Sequence, residues 1–195
     1  MGVCFVAFAV SDHHIAEILA DPPLVWRVLD AEDDRSYLRE LSSGDKPSLL
    51  EKLLGRTPPP PRIPRRLTFA DTELKTVDLD KCWDLLNAAL KLCAPDAPNF
   101  FEASGDVGRV DVGYGPAGYH RSEVMSRIAV AYLAVSEQAI LEALRTADLK
   151  GVYRREIWEQ PDAVAIDYVT EHFKELQAFV RHTADHSLGA ILQST

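Results

Sequence analysis

Residues Val77 to Cys93 read VDLDKCWDLLNAALKLC, the most clearly two-sided stretch of the chain. At 100° per residue, Leu79, Cys82, Trp83, Leu86, Leu90 and Cys93 share one face, and Asp80, Asp84, Asn87 and Lys91 share the other. The pattern predicts a helix with a buried stripe. Asp78 is the expected N-cap, because a carboxylate there accepts hydrogen bonds from first-turn amides, and Asp80 adds negative charge at the positive end of the helix dipole. Leu85 and Leu92 widen the stripe, which implies packing against more than one neighbour.

Working outward, 195 residues with 47% hydrophobic content suit a single domain, 1–195, able to bury a sizeable core. A Pro-rich connection at about 56–67 interrupts it. The formal charge of −9 opposes phosphate backbones at long range and argues against nucleic acid as a partner. Its one basic cluster, Arg62, Arg65 and Arg66, has no interleaved aromatic residues on which bases could stack. Cys4, Cys82 and Cys93 cannot all pair, and two of them lie on the apolar helix face, a usage expected of a cytoplasmic protein. The opening MGVCFVAFAV has no basic flank and is too short to span a bilayer, so no membrane partner is expected. Residue 6 is Val where a myristoylation motif wants Ser or Thr.

Gly2 to Val10 is apolar at nearly every position and reads as a central strand covered on both faces. Ser11 caps a short helix ended by Asp21-Pro22-Pro23, and short helices follow through Leu41. A further helix is expected from Pro47 to Leu54. TPPPPRIPRR, residues 57–66, favours polyproline II; Pro61, Pro64 and Arg66 match a PxxPx+ docking spacing, although a stiff surface connection explains the same composition. Val110 to Tyr114 is expected as a short strand. Gly113 to Gly118 spells G-x-G-x-x-G, yet Pro116 occupies a position where phosphate-facing amides are needed and no helix opens at once, so a Gly-rich turn is the better account. Ser122 and Ser136 each cap a helix, the first burying Met125, Ile128, Ala129 and Tyr132, the second Ile140, Leu141 and Leu144. Val152 to Trp158 reads as a strand or a packed loop. Pro161 opens the longest helix, with Ile166, Val169, Phe173, Leu176 and Val180 inward, and Ser187 to Leu192 closes the chain as a strand.

In this order the chain resembles the YfbM-like family of small bacterial proteins, a domain family of unknown function. The resemblance rests on Met1-Gly2 with the apolar strand and on Leu79-Asp80-Lys81-Cys82-Trp83-Asp84 with Leu85-Leu86. It continues through Tyr114-Gly115-Pro116 to Tyr119, Glu123-Val124, and Ile157-Trp158 before a long helix and final strand. The Pro-rich insertion and Cys93-Ala94-Pro95-Asp96 depart from it. The resemblance implies an α+β fold, a small mixed sheet that includes the N- and C-terminal strands and is covered by several helices. It implies no activity and no cofactor.

Candidate chemistry is sparse. His182 and His186 could reach one metal, but they have no further ligand motif, and His13-His14 reads as surface or cap; no metal site is expected. No G-x-S-x-G, Cys–His or H-E-x-x-H signature is present. Glu156, beside Arg155 and Trp158, is the carboxylate of most interest, and its plainer reading is an ion pair. Trp83, Tyr114, Tyr119 and Trp158 suit either a core junction or a recognition pocket. The expectation is therefore a non-catalytic binding or protein-interaction module whose ligand is a protein or a small molecule. The alternative is an enzyme acting on a small molecule in a cleft near Tyr114, Tyr119 and Glu156.

Overall fold

The computed structural model describes residues 2–31, 33–44, 63–159 and 161–195. The expected helix at Pro47–Leu54 and most of the Pro-rich run lie outside these residues. Five strands form one sheet: β1 (Phe5–Val10), β2 (Thr76–Asp78), β3 (Gly105–Asp111), β4 (Pro116–His120) and β5 (Gly189–Ser194), in the order β2-β1-β5-β4-β3. The α+β class and the place of both terminal strands in the sheet are as expected. Pairing is antiparallel throughout rather than mixed, because β3 and β4 join by a tight turn and the helical connections return each other strand in the opposite sense to its neighbour.

Side chains alternate across the sheet. Ala7, Ala9, Ala190 and Leu192 face one apolar core, while Phe8, Val10 and Ile191 face a second. The first core is covered by α4 (Trp83–Cys93), α5 (Ser122–Tyr132), α6 (Glu137–Thr146), the single-turn α7 (Glu156–Glu159) and α8 (Ala163–Asp185). The second lies under α1 (Asp12–Ala20), a 3-10 turn (Pro22–Val25), α2 (Trp26–Leu29) and α3 (Asp34–Gly44).

The stretch that decides the fold is divided where periodicity alone made it one helix. Val77 pairs with Ala7, the Leu79 amide donates to the Phe5 carbonyl, and the Phe5 amide donates to Asp80. With these backbone groups committed to β1, α4 cannot begin before Trp83. Asp78 is therefore not its N-cap but closes a turn, its Oδ1 accepting the Asp80 amide at 2.8 Å. Leu79, Cys82, Leu85, Leu86 and Leu90 are buried as the stripe requires, whereas Trp83 and Cys93 are half-buried and Leu92 is 55% exposed.

Helix starts are tied tertiarily as well as locally. Ser136 caps α6 by accepting the Ala139 amide. Ser122 does not cap α5: the Asp12 carboxylate accepts its amide at 3.0 Å and its hydroxyl at 2.7 Å, a cap delivered from α1. Asp162 caps α8, so Pro161 precedes the helix instead of opening it, and Val169, Phe173, Leu176 and Val180 face inward. The G-x-G-x-x-G run is the β3–β4 turn and the strand leaving it. Gly113 (φ 151°) lies where a Cβ would meet the Ser194 carbonyl at 2.5 Å, which excludes any larger residue. No single helix among the described residues is long and apolar enough to cross a membrane; α5 and α6 together pass on length and composition but are bent by 85° and bury their apolar faces.

Candidate functional site

The Leu79-to-Leu86 motif on which the resemblance rests is anchored to the beginning of the chain. Trp83 Nε1 donates to the Val3 carbonyl at 3.1 Å, and the Val3 amide donates to the Tyr153 hydroxyl at 2.9 Å. Asp84 Oδ2 accepts the Tyr153 amide at 2.8 Å. The Trp83 ring stacks between Phe5 (centroids 6.1 Å apart, planes at 27°) and Tyr153 (6.2 Å, 24°). A Cβ on Gly2 would meet Lys81 Cε at 2.5 Å and the Tyr153 hydroxyl at 2.6 Å, so glycine permits the chain to pass here. Trp83 and Asp84 of the motif, with Gly2, thus clamp the N-terminal strand to the 151–156 segment.

Behind the clamp, the Asp80 carboxylate accepts Cys4 Sγ–H at 3.2 Å and the Tyr168 hydroxyl at 2.9 Å, with Lys81 Nζ at 3.7 Å. Burial works against ionising Asp80, but the bonds from Cys4 and Tyr168 and the Lys81 charge bring its carboxyl below the usual range. Burial and the bond to Asp80 push the Cys4 thiol and the Tyr168 phenol up. Both therefore keep their protons at neutral pH, the opposite of an activated nucleophile.

In front of it opens a cleft of about 800 Å³ lined by Gly2, Lys81 and the run Gly151 to Glu156. Gly151 (φ 87°) and Arg154 (φ 57°) turn this run through left-handed backbone. The cleft is cationic for so acidic a chain: Lys81, Arg154 and Arg155 stand against one lining carboxylate, Glu156. Arg154 Nε lies 3.0 Å from Glu156, and Arg155 Nε 3.1 Å from Glu159, all with half-exposed side chains.

The residues singled out in sequence are dispersed. Glu156 lines the cleft and Trp83 supports it through Tyr153. Trp158 is 5% exposed within the first core. Tyr119 packs against the second core, on the opposite face of the sheet, and Tyr114 is 61% exposed on the β3–β4 turn. Tyr153, Arg154 and Arg155 were missed as site residues. Their one signal was Gly-Val-Tyr-Arg-Arg, residues 151–155, which says nothing of what lies opposite. A second, mostly apolar hollow of about 600 Å³ lies between the end of α4 and α5, lined by Cys93 to Pro98 with Arg127 and Val130.

Four of the six histidines are structural ties. His120 is buried, donates Nε2–H to the Phe100 carbonyl at 3.1 Å and accepts from the Ser104 hydroxyl at 2.8 Å; burial lowers its pKa. His14 is not a surface residue: it is buried and donates Nδ1–H to Glu73 at 2.8 Å. His182 donates Nε2–H to the Thr72 carbonyl at 2.7 Å, and His186 donates to the His182 carbonyl. Among the described residues no group of three or more His, Cys, Asp or Glu side chains could hold a metal ion.

No curated protein matches the sequence. The crystal structure of YfbM, a protein of unknown function from Escherichia coli, is similar over 98% of this chain and 99% of that one, at 10% identity and a TM-score of 0.46. The family model for DUF1877, a domain of unknown function, matches residues 1–193, and with that span covered the chain belongs to this family.

Proposed function

We propose that the protein is a non-catalytic binding module that takes an acidic segment of another protein into the cleft beside Tyr153. The observation that carries this reading is the cationic wall of Lys81, Arg154 and Arg155 in a chain of charge −9. Their present ion pairs are half-exposed and therefore weak, so an arriving carboxylate replaces them at little cost. The left-handed turn at Gly151 and Arg154 holds the guanidinium groups forward, and the Trp83–Tyr153 stack makes a rigid floor. Tyr, Trp and Arg are the residue types in which interface binding energy concentrates. The raised Cys4 thiol and Tyr168 phenol support the non-catalytic part of the proposal.

The test is fluorescence anisotropy with a labelled oligoglutamate peptide at low salt. Saturable binding that weakens with added salt, and is lost in the Arg154→Ala/Arg155→Ala double variant, is the expected result. Absence of saturable binding, or equal binding by the double variant, would sink the proposal.

A further inference from the structure

The segment from Thr72 to Lys75 is fixed at every residue. The Thr72 carbonyl accepts from His182 at 2.7 Å. Glu73 Oε1 accepts the Ser11 amide at 2.7 Å and His14 at 2.8 Å, and its Oε2 accepts the Ala70 amide at 2.9 Å. The Leu74 amide donates to the Ala9 carbonyl, and the Lys75 carbonyl accepts the Ala9 amide, both at 2.8 Å. Leu74 does this at φ 62°, a left-handed conformation that a leucine keeps only where its surroundings over-determine it. The result is a lysine held at a defined place beside α8. There Lys75 lines a groove of about 400 Å³ with Lys174, Gln177, Arg181, His182 and Asp185.

Two of these cations lack a counterpart among the described residues. Among the described residues neither Lys75 nor Arg181 makes an ion pair, and the pair between Lys174 and Glu137, at 3.2 Å, is exposed and weak. Gln177 spends its amide on the Tyr132 and Val135 carbonyls, and His182 spends Nε2 on Thr72, so both anchor the walls. Asp185, one helical turn beyond Arg181, and the carbonyl end of α8 repel negative charge from that end of the groove, so an anion is favoured toward Lys75 and Lys174, within reach of Arg181. A guanidinium fork and two ammonium groups lining one groove offer the donors that a tetrahedral oxyanion with several acceptor oxygens takes.

We propose that this groove is a binding site for a phosphate-type oxyanion, free or carried on a phosphorylated residue, held by Lys75, Lys174 and Arg181. It shares no residue with the cleft beside Tyr153 and stands or falls independently of it.

Isothermal titration at low salt tests it, with inorganic phosphate in one arm and a phosphoserine peptide in the other. The chains compared are the unmodified protein, Lys75→Ala, Arg181→Ala and, as a control on the exposed side of β3, Arg109→Ala. Saturable phosphate binding should weaken about tenfold or more in Lys75→Ala and in Arg181→Ala and stay unchanged in Arg109→Ala. Tighter binding of the peptide identifies a phosphorylated protein as the source; equal or weaker binding identifies the free anion. No saturable binding in either arm at millimolar ligand overturns the proposal, as does binding that Lys75→Ala and Arg181→Ala leave intact. Both substituted side chains are exposed, so unchanged melting temperatures verify that the variants fold.

Discussion

On one face of the sheet, four helices of ten residues or more bury a continuous apolar layer running from Phe5 on β1 to Leu192 on β5. On the other, α3 is the one helix of that length among the described residues, and it covers a smaller core together with α1, two single turns and the irregular segment 63–75, held by buried polar ties. Arg27, 8% exposed, lies 4.1 Å over the Tyr37 ring, pairs with Asp34 and donates to the Arg65 carbonyl. Arg65 in turn donates its amide to the Tyr37 hydroxyl and pairs with Glu17. Glu73 takes three donors. The difference teaches how a chain covers a face where apolar area is short: individual charges and amides fix the geometry. It also makes the two faces respond to different insults. Loss of volume damages the first, and loss of charge damages the second.

The largest effect should come from the packed face. Phe173 is fully buried on α8, and Phe173→Ala should cost about 3–5 kcal/mol through lost transfer energy and a cavity. Denaturant unfolding measures it; a cost near zero would show that this core is not tightly packed.

The latched face should instead be sensitive to acid. Burial opposes ionisation of Glu73, but the amides of Ala70 and Ser11 and the His14 ring hold its carboxyl at about 2, against 4.5 for a free glutamate. The folded-state pKa is depressed, so this stability is present above pH 4.5 and is lost as the pH falls toward 2. It amounts to up to about 3 kcal/mol, the side chain being 4% exposed. Unfolding free energies measured from neutral pH into that window should fall in the parent and stay flatter in Glu73→Gln. Parallel curves for the two chains would remove Glu73 as the latch.

Trp83 separates packing from clamping. Half-buried, it contributes less through volume than a core residue does. Trp83→Phe keeps the ring but leaves the Val3 carbonyl without its donor, at an expected cost of about 1–2 kcal/mol. Hydrogen exchange of the Val3 and Tyr153 amides should accelerate in the variant; unchanged exchange would mean that the indole bond does not hold the N-terminal strand.

The smallest effect is expected at Trp26, whose buried Nε1 has no partner among the described residues. Trp26→Phe should shift stability by no more than about 0.5 kcal/mol, since no bond is broken and a desolvated donor is removed. A clear loss on thermal unfolding would show that the latched face has a further polar tie, made to the indole from beyond those residues.

Much of the packed face was legible in the sequence, because helical periodicity there is set by burial against neighbours that are themselves regular. Met125, Ile128, Ala129 and Tyr132 on α5 and Val169, Phe173, Leu176 and Val180 on α8 are buried as their spacing implies. The latched face was less legible, since His14 and Glu73 lie 59 residues apart and neither belongs to a motif. The cleft was hidden for the same reason. Nothing in the order of residues places Gly2 beside Lys81 and Tyr153.

The sequence by itself determined the strands at both ends, the caps written in neighbouring residues such as Ser136 and, through the family resemblance that its motifs carry, the α+β class. Those depend on periodicity, on local hydrogen bonding and on the order of motifs, all of which are properties of the chain. Tertiary structure alone decided that Val77 pairs with Ala7 instead of starting a helix, that Asp12 caps α5, and that Trp83 clamps Val3. It also placed Tyr119 and Trp158 on opposite sides of the sheet, which dissolved the aromatic pocket that their types had suggested. The physical reason is common to these cases: a backbone amide or an indole N–H takes the partner that the packed chain brings within reach, and that partner can lie anywhere in the sequence.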